Sequence, residues 1–352
     1  MSDSTVRGRF VWHELLTTDT KSAATFFSKV VGWKPQPWGE DASYTLFVSG
    51  DRQMAGLMAL PEDARKMGAP PNWVTYIGTP NVDDTARQAT SLGATVLKAP
   101  ADIPTVGRFA VIQDPQGAVF AIFTPNRTPE PDGAMAVGDF SWHELATTDA
   151  KAALTFYQRL FGWEETSAMD MGPDLGTYQM FGRSKNGPPL GGAFNKPKQM
   201  PGPPSWLPYI KVADAKKTAE VIKKLQGKIV NGPTEVPGGD WIAQGLDLQG
   251  AMFAVHSVKP AAANAPAASA PPKAAVARKA PAQSKGAAKA KGAAKGKGAA
   301  KKKATPARKS TAKRSAPKRV VKKAATKSTA RPARNAAKRG KASKGKKTAK
   351  RR

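Results

Sequence analysis

The first 260 residues of this chain are one pattern written twice. Trp12-His13-Glu14-Leu15 recurs 130 residues later as Trp142-His143-Glu144-Leu145, and Thr17-Thr18-Asp19 as Thr147-Thr148-Asp149. Gly32-Trp33 returns as Gly162-Trp163, after which the offset drifts by a few residues, pairing Trp73 with Trp206 and Asp114 and Gly117 with Asp247 and Gly250. Insertions at loops account for such drift, so the chain reads as two related domains in tandem. The boundaries implied are 9–126 for the first, 127–138 for a linker and 139–258 for the second.

Within each copy the hydrophobic period alternates between strand and helix. In the first copy Phe10–Leu16 reads as a strand. Asp19 or Thr18 caps a helix over Thr20–Val31, whose Ala23, Phe26, Phe27, Val30 and Val31 form an apolar stripe stopped by Gly32. Strands near Tyr44–Val48 and Gln53–Leu60 follow. The pattern then restarts with a strand at Trp73–Gly78, a helix at Val82–Leu92 and strands near Thr95–Lys98, Phe109–Gln113 and Val119–Phe123. Each copy is thus a βαβββ unit repeated, and the fold class is α+β.

The net charge of +30 comes from elsewhere. Residues 261–352 hold 31 Lys or Arg and no Asp or Glu, so residues 1–260 are close to neutral. The same segment has no Phe, Trp, Tyr, Leu, Ile or Met, and so lacks the apolar surface to offset the entropy of ordering; 259–352 reads as a disordered tail. Its Lys/Ala/Pro composition resembles the termini of linker histone H1 and bacterial histone-like proteins. Dense positive charge without aromatics for base stacking predicts non-specific attachment to nucleic acid, with duplex DNA first, through residues such as Lys301, Lys302, Lys303, Arg308, Lys309, Lys313, Arg314, Lys318, Arg319, Lys322, Lys323, Arg351 and Arg352. The absence of cysteine excludes thiolate chemistry. A polar start and no membrane-length apolar run predict a cytoplasmic, nucleoid-associated protein with no membrane partner.

The globular part resembles the vicinal oxygen chelate superfamily, which includes glyoxalase I, extradiol dioxygenases and bleomycin-resistance proteins. The likeness rests on the Leu-x-x-x-Asp, Phe-Phe/Tyr and Gly-Trp opening of each copy and on Asp114-Pro115-x-Gly117 and Asp247-Leu248-x-Gly250 before the final strands. It implies a curled sheet in each copy with a cleft that usually holds a divalent metal. The ligand positions implied by the resemblance are occupied by Trp12 and Trp142 on the opening strands and by Ala121 and Ala254 on the closing ones. No metal or other cofactor is therefore expected, unless a divalent ion uses other ligands.

Four tryptophans, Trp12, Trp73, Trp142 and Trp206, are assigned by their register to the ligand clefts. There they either close off a former metal cavity or line an aromatic pocket for a planar small organic ligand; the alternative is that, as large aromatics on strands, they are core residues, which their fourfold repetition favours. Strand alternation puts Glu14 and Glu144 on the same face as Trp12 and Trp142, and His13 and His143 on the other. The glutamates are the candidate acid–base groups of a glyoxalase/dioxygenase-type lyase, isomerase or oxygenase. Alternatively they accept hydrogen bonds from neighbouring tyrosines or backbone. The histidines read as packing or surface residues, and Gly191-Gly192 and Gly238-Gly239 as turns rather than a phosphate loop. The globular part is expected as a monomeric pseudo-dimer or a homodimer.

Overall fold

A computed structural model describes residues 6–39, 41–127, 133–173 and 176–259. The first copy runs β1 (Phe10–Thr17), α1 (Thr20–Val31), β2 (Lys34–Trp38), β3 (Asp41–Ser49), β4 (Arg52–Ala59), α2 (Glu62–Lys66), β5 (Asn72–Gly78), α3 (Val82–Ser91), β6 (Thr95–Ile103), β7 (Gly107–Gln113) and β8 (Val119–Pro125). The second runs β9 (Phe140–Thr147), α4 (Ala150–Phe161), β10 (Glu164–Asp170), β11 (Thr177–Gly182), β12 (Pro189–Asn195), β13 (Ser205–Lys211), α5 (Ala215–Lys224), β14 (Lys228–Glu235), β15 (Trp241–Leu246) and β16 (Met252–Ser257).

Each copy builds one eight-stranded mixed sheet, ordered β2-β3-β4-β1-β5-β8-β7-β6 and β10-β11-β12-β9-β13-β16-β15-β14. The opening strands of the two βαβββ units meet antiparallel at the centre, β1 against β5, and each also pairs in parallel with the last strand of its own unit. Strand β2, Lys-Pro-Gln-Pro-Trp, escapes the sequence reading because two prolines remove ladder donors. It is an edge strand, where missing N–H groups can face away from the sheet. Gly191-Gly192 is also a correction: both residues lie inside β12 rather than in a turn.

Asp19 and Asp149 cap α1 and α4 by accepting from the backbone N–H of Ser22 and Ala152, and Gly32 and Gly162 end them in the left-handed conformation. The tryptophan after each glycine reaches the segment that leads into the other copy. Trp33 Nε1 donates to the Gly138 carbonyl at 3.1 Å and Trp163 Nε1 to the Gly8 carbonyl at 2.8 Å. The repeated Gly-Trp pair is thus a helix stop followed by a clasp between copies. Gly8 sits at φ 73°, and a Cβ there falls 2.7 Å from Trp163 Nε1. We expect Gly8→Ala to destabilise the body by at least about 1–2 kcal/mol, from the left-handed backbone alone; an unchanged urea midpoint would show that neither the left-handed backbone nor the close approach of Trp163 constrains this position.

Neither copy keeps its core to itself. Phe26 and Phe27 of α1 pack edge-on against Phe253 of β16, and Phe156 and Tyr157 of α4 pack against Phe120 of β8. One core joins the first unit of the first copy to the second unit of the second; the other joins the remaining two units. Burying a large apolar side chain contributes about 1.5–3 kcal/mol, so this exchange ties the two copies into one folding body. Among the described residues no helix is long and apolar enough to cross a membrane.

Candidate functional site

The sheet face turned away from the shared cores carries its own chemistry. On β1, Trp12 and Glu14 alternate onto this face, and across the antiparallel ladder they sit opposite Tyr76 and Val74 of β5. Trp12 Nε1 donates to the Tyr44 hydroxyl at 3.2 Å. That hydroxyl donates to Glu14 Oε1 at 2.8 Å, and the Tyr76 hydroxyl to Glu14 Oε2 at 3.0 Å. Tyr44 reaches this position from β3 by lying across Gly56, where a Cβ would fall 2.0 Å from its hydroxyl oxygen. The missing side chain on β4 is therefore what admits the tyrosine.

The second copy repeats the relay. Trp142 Nε1 donates to Tyr178 Oη at 2.8 Å and Tyr178 donates to Glu144 Oε2 at 3.1 Å, with Gly192 taking the part of Gly56. It also adds an amide. Gln244 Nε2 donates to Glu144 Oε1 at 3.0 Å and to Tyr209 Oη at 2.6 Å, and Asn231 Nδ2 donates to Gln244 Oε1 at 3.2 Å. The equivalent positions in the first copy, read from the strand registers, are Val111 and Lys98.

Burial pushes the Glu14 carboxyl above the usual glutamate range, against the pull of the Tyr44 and Tyr76 hydroxyls and the Lys98 charge. Burial raises Glu144 likewise, against Tyr178, Tyr209 and Gln244. Tyr44 and Tyr76 are raised in turn, first by burial and then by the neighbouring carboxylate, so they stay protonated and act as donors.

The histidines on the other face of β1 and β9 are buried, as the packing reading requires, but they also bond to one another. His13 Nε2 and His143 Nε2 lie 2.8 Å apart, His13 stacked on Phe140 at 3.6 Å and His143 on Phe10 at 3.5 Å. The Leu190 carbonyl, 3.2 Å from His143 Nδ1, can only accept. The proton of neutral His143 is therefore on Nδ1, and His13 Nε2–H donates to His143 Nε2. Burial lowers His143 to about 3, and burial with the neighbouring ring lowers His13 well below the usual range.

Trp73 and Trp206 are a correction. Each pairs across the ladder with a core residue, Leu15 or Leu145, and both lie in the cores between the copies rather than in the clefts. Trp206 Nε1 donates to Tyr157 Oη at 3.0 Å, and Tyr157 donates to Asp114 Oδ2 at 2.9 Å. At the related place the tyrosine is Phe27, and Trp73 Nε1 and Asp247 Oδ2 are buried without a partner.

Ala121 and Ala254 sit fully buried beside Tyr76 and Tyr209. A divalent cation in either cleft needs several nitrogen or oxygen ligands. Each relay supplies one carboxylate, with hydroxyl or amide donors already on its oxygens, and no group of three or more His, Cys, Asp or Glu converges among the described residues. The donor set does not fit such an ion. The basic residues singled out from Lys301 to Arg352 lie outside the described residues.

Residues 12–123 match a glyoxalase-like domain, and 139–255 match the glyoxalase/bleomycin resistance protein/dioxygenase superfamily. The chain is 31% identical over 256 residues to the "Putative glyoxylase CFP32" of Mycobacterium tuberculosis, covering 71% of this chain and 94% of that one. It is 26% identical to the anthracycline biosynthesis protein DnrV of Streptomyces peucetius over 73% of this chain and 96% of that one. A homoprotocatechuate 2,3-dioxygenase variant from B. fuscum shares the fold at 15% identity, with a TM-score of 0.52 over 73% of this chain and 72% of the other. The chain belongs to the glyoxalase/bleomycin resistance protein/dioxygenase superfamily as a tandem pair of glyoxalase-like domains.

Proposed function

We propose that this protein binds a small organic molecule on the inner sheet faces without a metal, and that its cationic tail attaches it to nucleic acid in the nucleoid. The observation that carries the first part is the Trp12–Tyr44–Glu14–Tyr76 relay. It sets indole and phenol surfaces around one buried carboxyl whose two oxygens accept from tyrosine hydroxyls, which suits a planar ligand with a hydrogen-bonding edge. The similarity to a protein described as an anthracycline biosynthesis protein agrees with an aromatic ligand. The second part is supported by 31 basic and no acidic residues in 261–352.

A catalytic reading is favoured by one observation, the upward shift of Glu14 and Glu144, which lets a carboxyl hold a proton nearer neutral pH and exchange it with a substrate. In that version the two glutamates are the acid–base groups of a lyase, isomerase or oxygenase.

Elemental analysis and a thermal-shift screen of planar aromatics, read with tryptophan fluorescence, separate these readings. Stoichiometric, tightly held metal overturns the metal-free reading. Turnover abolished by Glu14→Gln and Glu144→Gln with binding retained establishes the catalytic one. For the tail, a mobility-shift comparison with residues 1–260 should show loss of DNA binding on truncation. The full chain's affinity should fall with salt at a log–log slope of about −0.9 per phosphate contact; retained or salt-insensitive binding would count against attachment through the tail.

A further inference from the structure

The two clefts share a relay but differ one step further along the sheet. A single cross-strand row runs through the first cleft from Trp12 to Tyr76, Ala121, Val111 and Lys98, and the same row in the second reads Trp142, Tyr209, Ala254, Gln244 and Asn231. Neighbours in such a row face the same side of the sheet, so both sets address their clefts.

In the second cleft the relay closes on itself. Gln244 holds Glu144 and Tyr209, and Asn231 holds Gln244, so the polar groups of this face are paired internally. In the first, Val111 offers no hydrogen bond. Lys98 is exposed, its ammonium lies 5.4 Å from the Phe109 ring centre, and its charge is felt by Glu14. Phe109 in turn packs against Tyr76 at 6.2 Å. This face of the first copy therefore combines aromatic rings, a buried carboxyl and an exposed cation.

We propose that the two copies have diverged in role: the first cleft binds a planar aromatic anion, its negative group on Lys98 and its ring against Trp12, Tyr76 and Phe109, while the second is a self-saturated structural copy. This rests on the reading of the clefts as ligand sites. In both copies the glutamate oxygens already accept hydrogen bonds; a ligand entering the second cleft must in addition break the Gln244 bonds, whereas an anion entering the first meets apolar Val111 and the exposed Lys98 ammonium beside the Phe109 ring.

The test is calorimetric titration of the full chain with 2-naphthoate and with its neutral counterpart 2-naphthamide, in about 0.3 M NaCl to screen the tail. One naphthoate per chain is expected, with the amide weaker by about tenfold or more, the fold-change of one charge-assisted contact. Lys98→Gln, at an exposed position, should remove that preference while leaving the tail's charge intact. Val111→Gln, which installs the second cleft's amide, should weaken naphthoate further. Two equivalent sites per chain, or a preference unchanged in Lys98→Gln, overturns the divergence while leaving both clefts as ligand sites. Failure of both probes to bind overturns the ligand-site reading itself.

Discussion

Phe27→Tyr is expected to stabilise the folded body by about 2 kcal/mol, raising the melting temperature by roughly 4–8 °C for a body of this size. The second copy shows the finished arrangement, in which Tyr157 accepts from Trp206 and donates to Asp114. Asp114 Oδ1 takes the N–H groups of Gln116 and Ala118, and Asp247 Oδ1 takes those of Gln249 and Ala251 in the same way. What differs is Oδ2, which the tyrosine fills at Asp114 and nothing fills at Asp247. The ring of Phe27 stands 5.3 Å from Trp73, as that of Tyr157 does from Trp206, so a hydroxyl added at Phe27 reaches both orphaned groups. The reciprocal Tyr157→Phe should destabilise by a comparable amount, because it leaves two buried polar groups unpaired. Equal melting temperatures for the wild type and both variants would show that these buried groups carry no such energy.

The second large effect is acid lability at the contact between His13 and His143. Both rings are held neutral in the folded protein, and both take up protons in the unfolded chain below about pH 6.5. The unfolded state therefore binds more protons between that value and the folded value of about 3 for His143, and stability falls as pH falls through this window. The slope is about 1.4 kcal/mol per pH unit for each histidine. Glu14 and Glu144 act in the opposite sense. Their folded values are raised, so their contribution is full below the usual glutamate range and is lost as pH rises from there through the raised folded values. The wild-type profile is the sum of the two, and the double variant His13→Leu with His143→Leu isolates the histidines. Its stability relative to wild type should improve steadily from pH 6.5 to pH 4, measured by urea unfolding at each pH. A difference independent of pH would mean that the rings are already charged in the folded state.

The pattern of elements was legible because burial imposes periods that the residues must obey. Helix α1 is written in Phe26, Phe27 and Val30 between a capping Asp19 and a left-handed Gly32, and its extent matches the sequence reading. Strand β2 was not legible, because Pro35 and Pro37 mark a breaker everywhere except on an edge, and nothing local says where an edge will be. Trp73 shows the same limit in another form. Alternation along a strand says which residues share a face, but a shift of one position exchanges the faces: Trp73 pairs with Leu15 on the core face, and it is Tyr76, three residues on, that pairs with Trp12. Trp12 and Trp73 look equivalent by count, yet only Trp12 belongs to the relay.

Glu14 was legible as a residue of the inner face and His13 as one of the outer. Their partners were not. Tyr44, Tyr76 and Gln244 lie 30, 62 and, for Glu144, 100 residues away, and no local spacing links them. One signal was available: Gly56 and Gly192 stand at matching places in strands, where glycine has no backbone reason to be, which marks the close approach of another group.

The sequence by itself determined the duplication, the βαβββ order, the family and the concentration of positive charge beyond residue 260. These are properties of local pattern and composition, which survive without knowing what touches what. The tertiary structure alone decided that each core joins halves of different copies, that two neutral histidines share one proton at their contact, and that Gln244 reaches Glu144 where the matching place in the first copy is Val111. Those outcomes depend on which residues distant in the chain become neighbours, and hydrogen bonding, desolvation and charge act only between neighbours in space.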